Sequence, residues 1–195
     1  MKNNNRKNEA NPLFVWTHNG QFHADEVSAV ALLKIFHSSQ IVVIRAATPP
    51  EHYDIAVDIG RQFDGVTKFD HHHNKDLEAA CVLIGNWLVE QKYLDAEIWT
   101  CLYSSIFKYI SQVDRGIIRG GGEKHSINAL IRNFNTGISD NTDDTTDNAF
   151  DGALDVMHEI LSAAYYNTYQ MLKQDKNWEK FKRKEAVVEM TDKCR

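Results

Sequence analysis

Three short apolar runs constrain this chain more than any other feature: LFVWT (Leu13–Thr17), IVVI (Ile41–Ile44) and IAVDI (Ile55–Ile59). Each is rich in β-branched or aromatic residues and too short for a helix, so each reads as a buried strand. Between the first two lies ADEVSAVALLKIF (Ala24–Phe36). Its apolar residues Val27, Val30, Ala31, Leu33 and Ile35 and its acids in the first turn, where they oppose the helix dipole, mark a helix. A short link joins the second and third strands, and Val66–Phe69 adds a brief fourth. This order predicts an α/β chain with a doubly wound parallel sheet flanked by helices. After His73 the spacing turns helical over Leu77–Glu90, Ala96–Ile110, Ser126–Asn133 and Ala149–Lys173. Residues 1–12 read as a disordered tail, 13–175 as the domain, and 176–195 as a C-terminal extension with an isolated strand at Ala186–Met190. The glycine run Arg119–Gly122 and the polar stretch 135–148 read as loops.

The polar residues at the strand ends carry the chemistry. His18 lies just past the first strand, His23 and Asp25 at the start of the first helix, Asp58 at the end of the third strand, and Asp70–His73 after the fourth. If the strands run parallel, all of these ends share one edge, the edge at which open α/β sheets bind ligands. Seven of the nine histidines precede residue 74. Imidazole mixed with carboxylate suits Mn²⁺, Zn²⁺ or Fe²⁺ better than Ca²⁺ or Mg²⁺. The three cysteines, Cys81, Cys101 and Cys194, share no metal-type spacing, which argues against a structural zinc site. Several aspartates in one place suggest two cations, which about 3.5–4 Å apart clamp a phosphate and activate a water for in-line attack. Glu26 reads as a helix-start charge that supports the ligands rather than as a ligand, and His73 has no assigned role. A net charge of −5 argues against gripping long nucleic acid by charge alone. No run is long enough to span a membrane, and the polar N-terminus lacks a signal-peptide core, so a cytoplasmic protein is expected.

THNGQFHADE, DIAVDIG and FDHHH, in this order and spacing, resemble the MYG1 (UPF0160) family of the DHH phosphoesterase superfamily. ISQVDRG (Ile110–Gly116), INALIRNFN (Ile127–Asn135) and FDGALDVMHEIL (Phe150–Leu161) are similar to later segments of that family. The resemblance implies a two-metal site. In it His18, His23 and Asp25 form one ligand group, Asp58 bridges the ions, and His71 and Asp114 complete the second. His72 would face the scissile phosphate, and Asp70 would orient a histidine. Arg45 and Arg115 would meet substrate. Arg61 stands where a second glycine is common, and Arg115 where asparagine is usual. The implied activity is Mn²⁺-dependent hydrolysis of nucleotides or short single-stranded oligonucleotides, as by a 3′–5′ RNA exonuclease, with Mg²⁺ or Zn²⁺ as other metals. The competing readings are a non-catalytic module that sequesters a nucleotide and a pyrophosphatase-like hydrolase. Relatives add a second domain over the metals, so a homodimer that completes the cleft is also expected.

Overall fold

The computed structural model describes residues 11–51, 53–118, 125–136 and 148–174. The expectations for the tail over 1–10, Arg119–Gly122, the loop over 137–147 and the strand Ala186–Met190 lie outside the described residues. Four strands form one sheet: β1 (Leu13–His18), β2 (Ile41–Ala46), β3 (Ile55–Val57) and β4 (Lys68–Phe69). Every pairing is parallel and the order is β2-β1-β3-β4. The chain therefore works outward from β1 in both directions, and the switch point falls between β1 and β3. At such a point the connections leave the strand ends in opposite directions and open a crevice. His18 is the last residue of β1 and Asp58 the first after β3, so the topology sets the two at this crevice.

The helices are α1 (Ala24–Phe36), α2 (Ala80–Glu90), α3 (Ala96–Leu102), α4 (Lys108–Asp114), α5 (Ile127–Arg132) and α6 (Asn148–Gln174). Helix α1 is buried almost all round, from Ala24 to Leu33 and again at Phe36. A helix apolar on every side belongs inside a layer rather than on a surface. Here α2 and α6 make its most extensive helical packing. Burial of Val27, Val30, Leu32 and Leu33 is worth about 1.5–3 kcal/mol each relative to exposure. The approach of α2 to α3 depends on Gly85: a Cβ there would sit 2.1 Å from the Trp99 ring. Trp99 itself is held by its indole N–H, which donates to Asn86 Oδ1 at 2.8 Å.

The helix expected over Ala96–Ile110 is interrupted by one wide turn, Tyr103–Phe107, and continues as α4 to Asp114. That turn rotates α4 relative to α3, so Ser111 faces inward and Asp114 ends the helix beside the sheet edge. The last helical expectation is met closely, since α6 covers Asn148–Gln174. The segment Ser126–Asn133 forms α5, capped by Ser126 Oγ accepting from the Ala129 N–H, and tightens into a 3₁₀ turn at Asn133–Asn135.

Candidate metal centre

Asp58 occupies the middle of the sheet edge. It is 4% exposed and holds a left-handed backbone, φ 52°, one of three non-glycine residues to do so among those described. Aspartate tolerates this region better than most side chains. The turn lets β3 stop abruptly and keeps the carboxylate at the crevice. Its Oδ2 lies 3.5 Å from His18 Nε2, and its Oδ1 lies 3.7 Å from His71 Nδ1 and 3.2 Å from His72 Nδ1. Burial opposes ionisation of Asp58, but the His18 and His72 rings outweigh it and hold the carboxyl below the usual carboxylate range.

Around Asp58 the ionisable side chains form three neighbouring groups, two of which share a residue. Asp58, Asp70, His71 and His72 make one; His18, His23 and Glu26 a second; Asp25, His71 and Asp114 a third. Within each group one candidate ligand atom per residue lies within 4.8 Å of the others. His71 belongs to two groups, with Nε2 3.1 Å from Asp114 Oδ2 and Nδ1 4.0 Å from Asp25 Oδ2. Asp25 thus stands with His71 and Asp114 rather than beside His18 and His23. Its carboxylate turns toward α2 and accepts from the backbone N–H groups of Ala80 and Cys81, at 2.8 and 2.7 Å. Burial, then the Asp114 and Asp58 carboxylates, push the Asp25 carboxyl well above its ordinary range. A cation among the three would remove the charge repulsion.

Glu26 is the residue that sequence reasoning placed too far from the centre. Its Oε1 accepts from the His23 N–H at 2.7 Å, the helix-start role expected of it. The same oxygen lies 2.9 Å from His18 Nε2, and Oε2 is buried with no hydrogen bond. The signal was its position, one turn into α1, on the side that β1 faces. His18 Nδ1 points the other way, 2.9 Å from the Asn19 carbonyl. Burial lowers the His18 pKa, but Glu26 and Asp58 overcome this and raise it to about 11.

Asp70 fixes His72. Its Oδ1 accepts from the His72 backbone N–H and sits 2.9 Å from the ring Nδ1, while Oδ2 accepts from the Arg61 N–H at 2.8 Å. Asp58 and Asp70 together raise the His72 pKa to about 10. His72 therefore carries its proton at neutral pH, with Nδ1 engaged and Nε2 left for solvent or substrate. The Arg61 N–H is presented by a left-handed backbone, φ 52°. His73 joins none of the groups among the described residues and is exposed.

Several contacts hold this edge together. Asn135, on the 3₁₀ turn after α5, clamps Phe22: its Oδ1 accepts from the Phe22 N–H at 3.0 Å and its Nδ2 donates to the Phe22 carbonyl at 2.6 Å. Arg45, 4% exposed at the end of β2, donates to the His18 and Gly20 carbonyls and lies over the Phe22 and Phe150 rings. The loop between His18 and His23 is thus tied down from both sides. Arg115 donates to Glu78 Oε2 at 2.9 Å and to the Lys75 carbonyl. Glu78 also accepts from the Ser111 hydroxyl, which itself accepts from the Ala79 N–H. This chain of bonds joins the end of α4, with Asp114, to the start of α2, with the N–H groups that hold Asp25.

The donor set fits a divalent cation. Asp58 Oδ1, His71 Nδ1 and Glu26 Oε2 are buried atoms with no hydrogen-bond partner, each with a lone pair to give. Leaving such atoms unmatched costs about 1–3 kcal/mol apiece, and cations held within their respective groups would satisfy them. Oxygen and imidazole nitrogen without thiolate is the set that suits Mn²⁺, Fe²⁺ or Zn²⁺. Next to the cluster opens a cleft of about 350 Å³, lined by His23, Ala24, His72, Val113, Asp114, Asn128, Ala129 and Arg132.

The comparisons with known proteins fall on this edge. A family model described as "Uncharacterised protein family (UPF0160)", MYG1_exonuc, matches residues 14–80. A MYG1 protein of Saccharomyces cerevisiae is 46% identical over 61 residues, 30% of this chain and 18% of the relative. A MYG1 protein of Dictyostelium discoideum is 28% identical over 163 residues, 68% of this chain and 49% of the relative. The Homo sapiens protein named MYG1 exonuclease is 37% identical over 71 residues, 34% of this chain and 19% of the relative. The chain spans less than half the length of these relatives. No solved structure matches it. No described helix is long and apolar enough to cross a membrane. Over residues 14–80, the segment that carries His18, His23, Asp58 and the Asp70–His73 run, the chain is similar to the MYG1 (UPF0160) family.

Proposed function

We propose that this protein is a divalent-metal-dependent phosphoesterase that hydrolyses phosphodiester bonds in nucleotides or short oligonucleotides. The observation that carries this reading is Asp58: a buried carboxylate between three imidazoles, with one oxygen unmatched, next to His72, which lines a cleft. The name of the human relative, an exonuclease, agrees with it. Membership of the wider DHH phosphoesterase superfamily, suggested by the Asp70–His73 run, is part of the same proposal.

His18, Glu26 and His23 would hold one cation, and Asp25, His71 and Asp114 another, with Asp58 between them. When bound, such ions supply an activated water near neutral pH and neutralise charge on the phosphate. The chain's own groups do the rest. Asp58 and Asp70 favour the doubly protonated His72 ring, with Nδ1 facing Asp70, so that Nε2–H can donate to a phosphate oxygen or to the departing oxygen. The 48% exposure of the His72 side chain places that donor on the cleft, where substrate would enter. Asp70 itself stays ionised: burial opposes this, but the His72 ring and the two backbone N–H donors outweigh it.

Purified protein with added Mn²⁺ is expected to cleave a generic phosphodiester and short RNA, and to lose the activity on chelation. Elemental analysis of the protein as isolated identifies the resident metal. Absence of cleavage of both substrates, with metal bound, would sink the reading. Tight nucleotide binding without turnover would replace it with sequestration, and selective cleavage of inorganic pyrophosphate with a small-phosphate hydrolase.

A further inference from the structure

The cleft has a second wall that belongs to none of the metal groups. Asn128 and Arg132 stand four residues apart on α5, hence on one face of it, and both line the cleft with His72 and Asp114. Asn128 Oδ1 is buried and makes no hydrogen bond. Arg132 is exposed, and its guanidinium has no ion pair or hydrogen bond among the described residues. Among the described residues it is the one cationic side chain in the cleft lining other than a histidine. Arg45 and Arg115, also near the centre, are differently placed. Arg45 is buried against the His18 and Gly20 carbonyls, and Arg115 is held by Glu78 and the Lys75 carbonyl.

These facts point to a ligand with an anion and a hydroxyl close together. A guanidinium offers a planar fork that matches two oxygens of a phosphate. A side-chain amide with an unmatched atom is completed by a group that can donate and accept, as a sugar hydroxyl does, whichever way the amide is turned. We propose that Arg132 and Asn128 form a substrate subsite in which Arg132 binds the phosphate adjoining the scissile one and Asn128 the sugar hydroxyl beside it. The proposal rests on the phosphoesterase reading for its substrate class, but binding can be measured without turnover.

The test uses the full chain with Mn²⁺ and two probes. A 5′-phosphorylated diadenylate with a non-cleavable link, which carries both a scissile-position and an adjoining phosphate, is titrated at several salt concentrations, and a short ribo-oligonucleotide gives kcat and KM. Arg132→Gln is expected to weaken diadenylate binding about tenfold and to flatten the slope of log affinity against log salt by about 0.7, the single-strand value for one lost phosphate contact. Mn²⁺ affinity is expected to stay unchanged, with KM raised and kcat kept. Arg132→Lys is expected to recover the salt slope but only part of the affinity. Asn128→Ala is expected to narrow the preference for the ribo- over the matching deoxyribo-oligonucleotide and to leave the salt slope alone. An unaltered slope in Arg132→Gln, or an equal loss of Mn²⁺ affinity, overturns the subsite. If the wild type binds the diadenylate, Arg132→Gln flattens the slope as expected, and no phosphodiester is cleaved, the phosphoesterase reading falls and the subsite stands.

Discussion

Along α1 the surroundings change within a single turn. From Val27 to Phe36 the helix packs against α2 and α6, and its neighbours are apolar groups in close contact. At its first turn, Asp25 and Glu26 are just as deeply buried, both 0% exposed, yet they face carboxylates and imidazoles. In the first region one buried side-chain atom, the uncharged Ser28 Oγ, lacks a partner among the described residues. In the second, Glu26 Oε2, His71 Nδ1 and Asp58 Oδ1 have no partner. Burial alone therefore does not separate scaffold from site; the state of the buried atoms does. The scaffold makes the chain fold, and the edge spends part of that stability on a binding-ready arrangement.

If this division is right, damage to one region should leave the other nearly untouched. The largest effect is expected from Asp58→Ala, which removes the carboxylate that lies within 4 Å of His18, His71 and His72. Phosphodiester hydrolysis should fall by about 10³-fold or more, a loss of the size seen when a group that stabilises a transition state is removed, while far-UV circular dichroism stays the same. Full activity in this variant would break the comparison at its centre. Next in size is the metal itself. At a free concentration a hundred times its Kd, the ion should stabilise the fold by about 2.7 kcal/mol, read as a rise in the denaturation midpoint that disappears in Asp58→Ala.

The converse experiment belongs to the core. Gly85→Ala forces a methyl into the space of the Trp99 ring. Overpacking of this kind costs about 1–3 kcal/mol, to be measured by urea unfolding, with Mn²⁺ affinity unchanged. A matching drop in metal affinity would show that the two regions are coupled. The smallest expected effect is a proton count. His18, raised to about 11 by Glu26 and Asp58 against the opposing effect of burial, is protonated at pH 7 in the metal-free chain. A ligand ring must give up that proton, so metal binding should release at least one proton near pH 7 and apparent affinity should climb with pH through the neutral range. Calorimetry in two buffers of different ionisation enthalpy measures it, and no release would remove His18 from the ligand set.

The strands and α1 were legible because short β-branched runs and a charged helix start leave few alternatives. The convergence of His18, Asp58 and the Asp70–His73 run was legible for the same reason: a parallel sheet puts strand ends together. Other features were hidden by physics that a linear pattern does not record. The wide turn at Tyr103–Phe107 keeps helical hydrophobic spacing while adding one residue, so Ala96–Ile110 looks like an unbroken helix. The side to which Asp25 turns depends on the N–H groups of Ala80 and Cys81, far along the chain. Arg61 marks a third case. The resemblance gave its position as one often held by glycine, and the structure supplies the reason, a left-handed backbone that the following sheet contacts impose.

The Asn135 clamp on Phe22 has a consequence for the order in which the molecule matures. It joins positions 113 residues apart, and such distant contacts form late because loop closure must come first. A nascent chain that has emerged only through α2 already carries His18, His23, Asp58 and His71, but neither Asp114 nor the amide that steadies the loop between the first two histidines. The half-made protein is thus a poor chelator. On the proposed reading, metal capture would wait until α5 docks, and the ion would then lock a chain that has already found its topology.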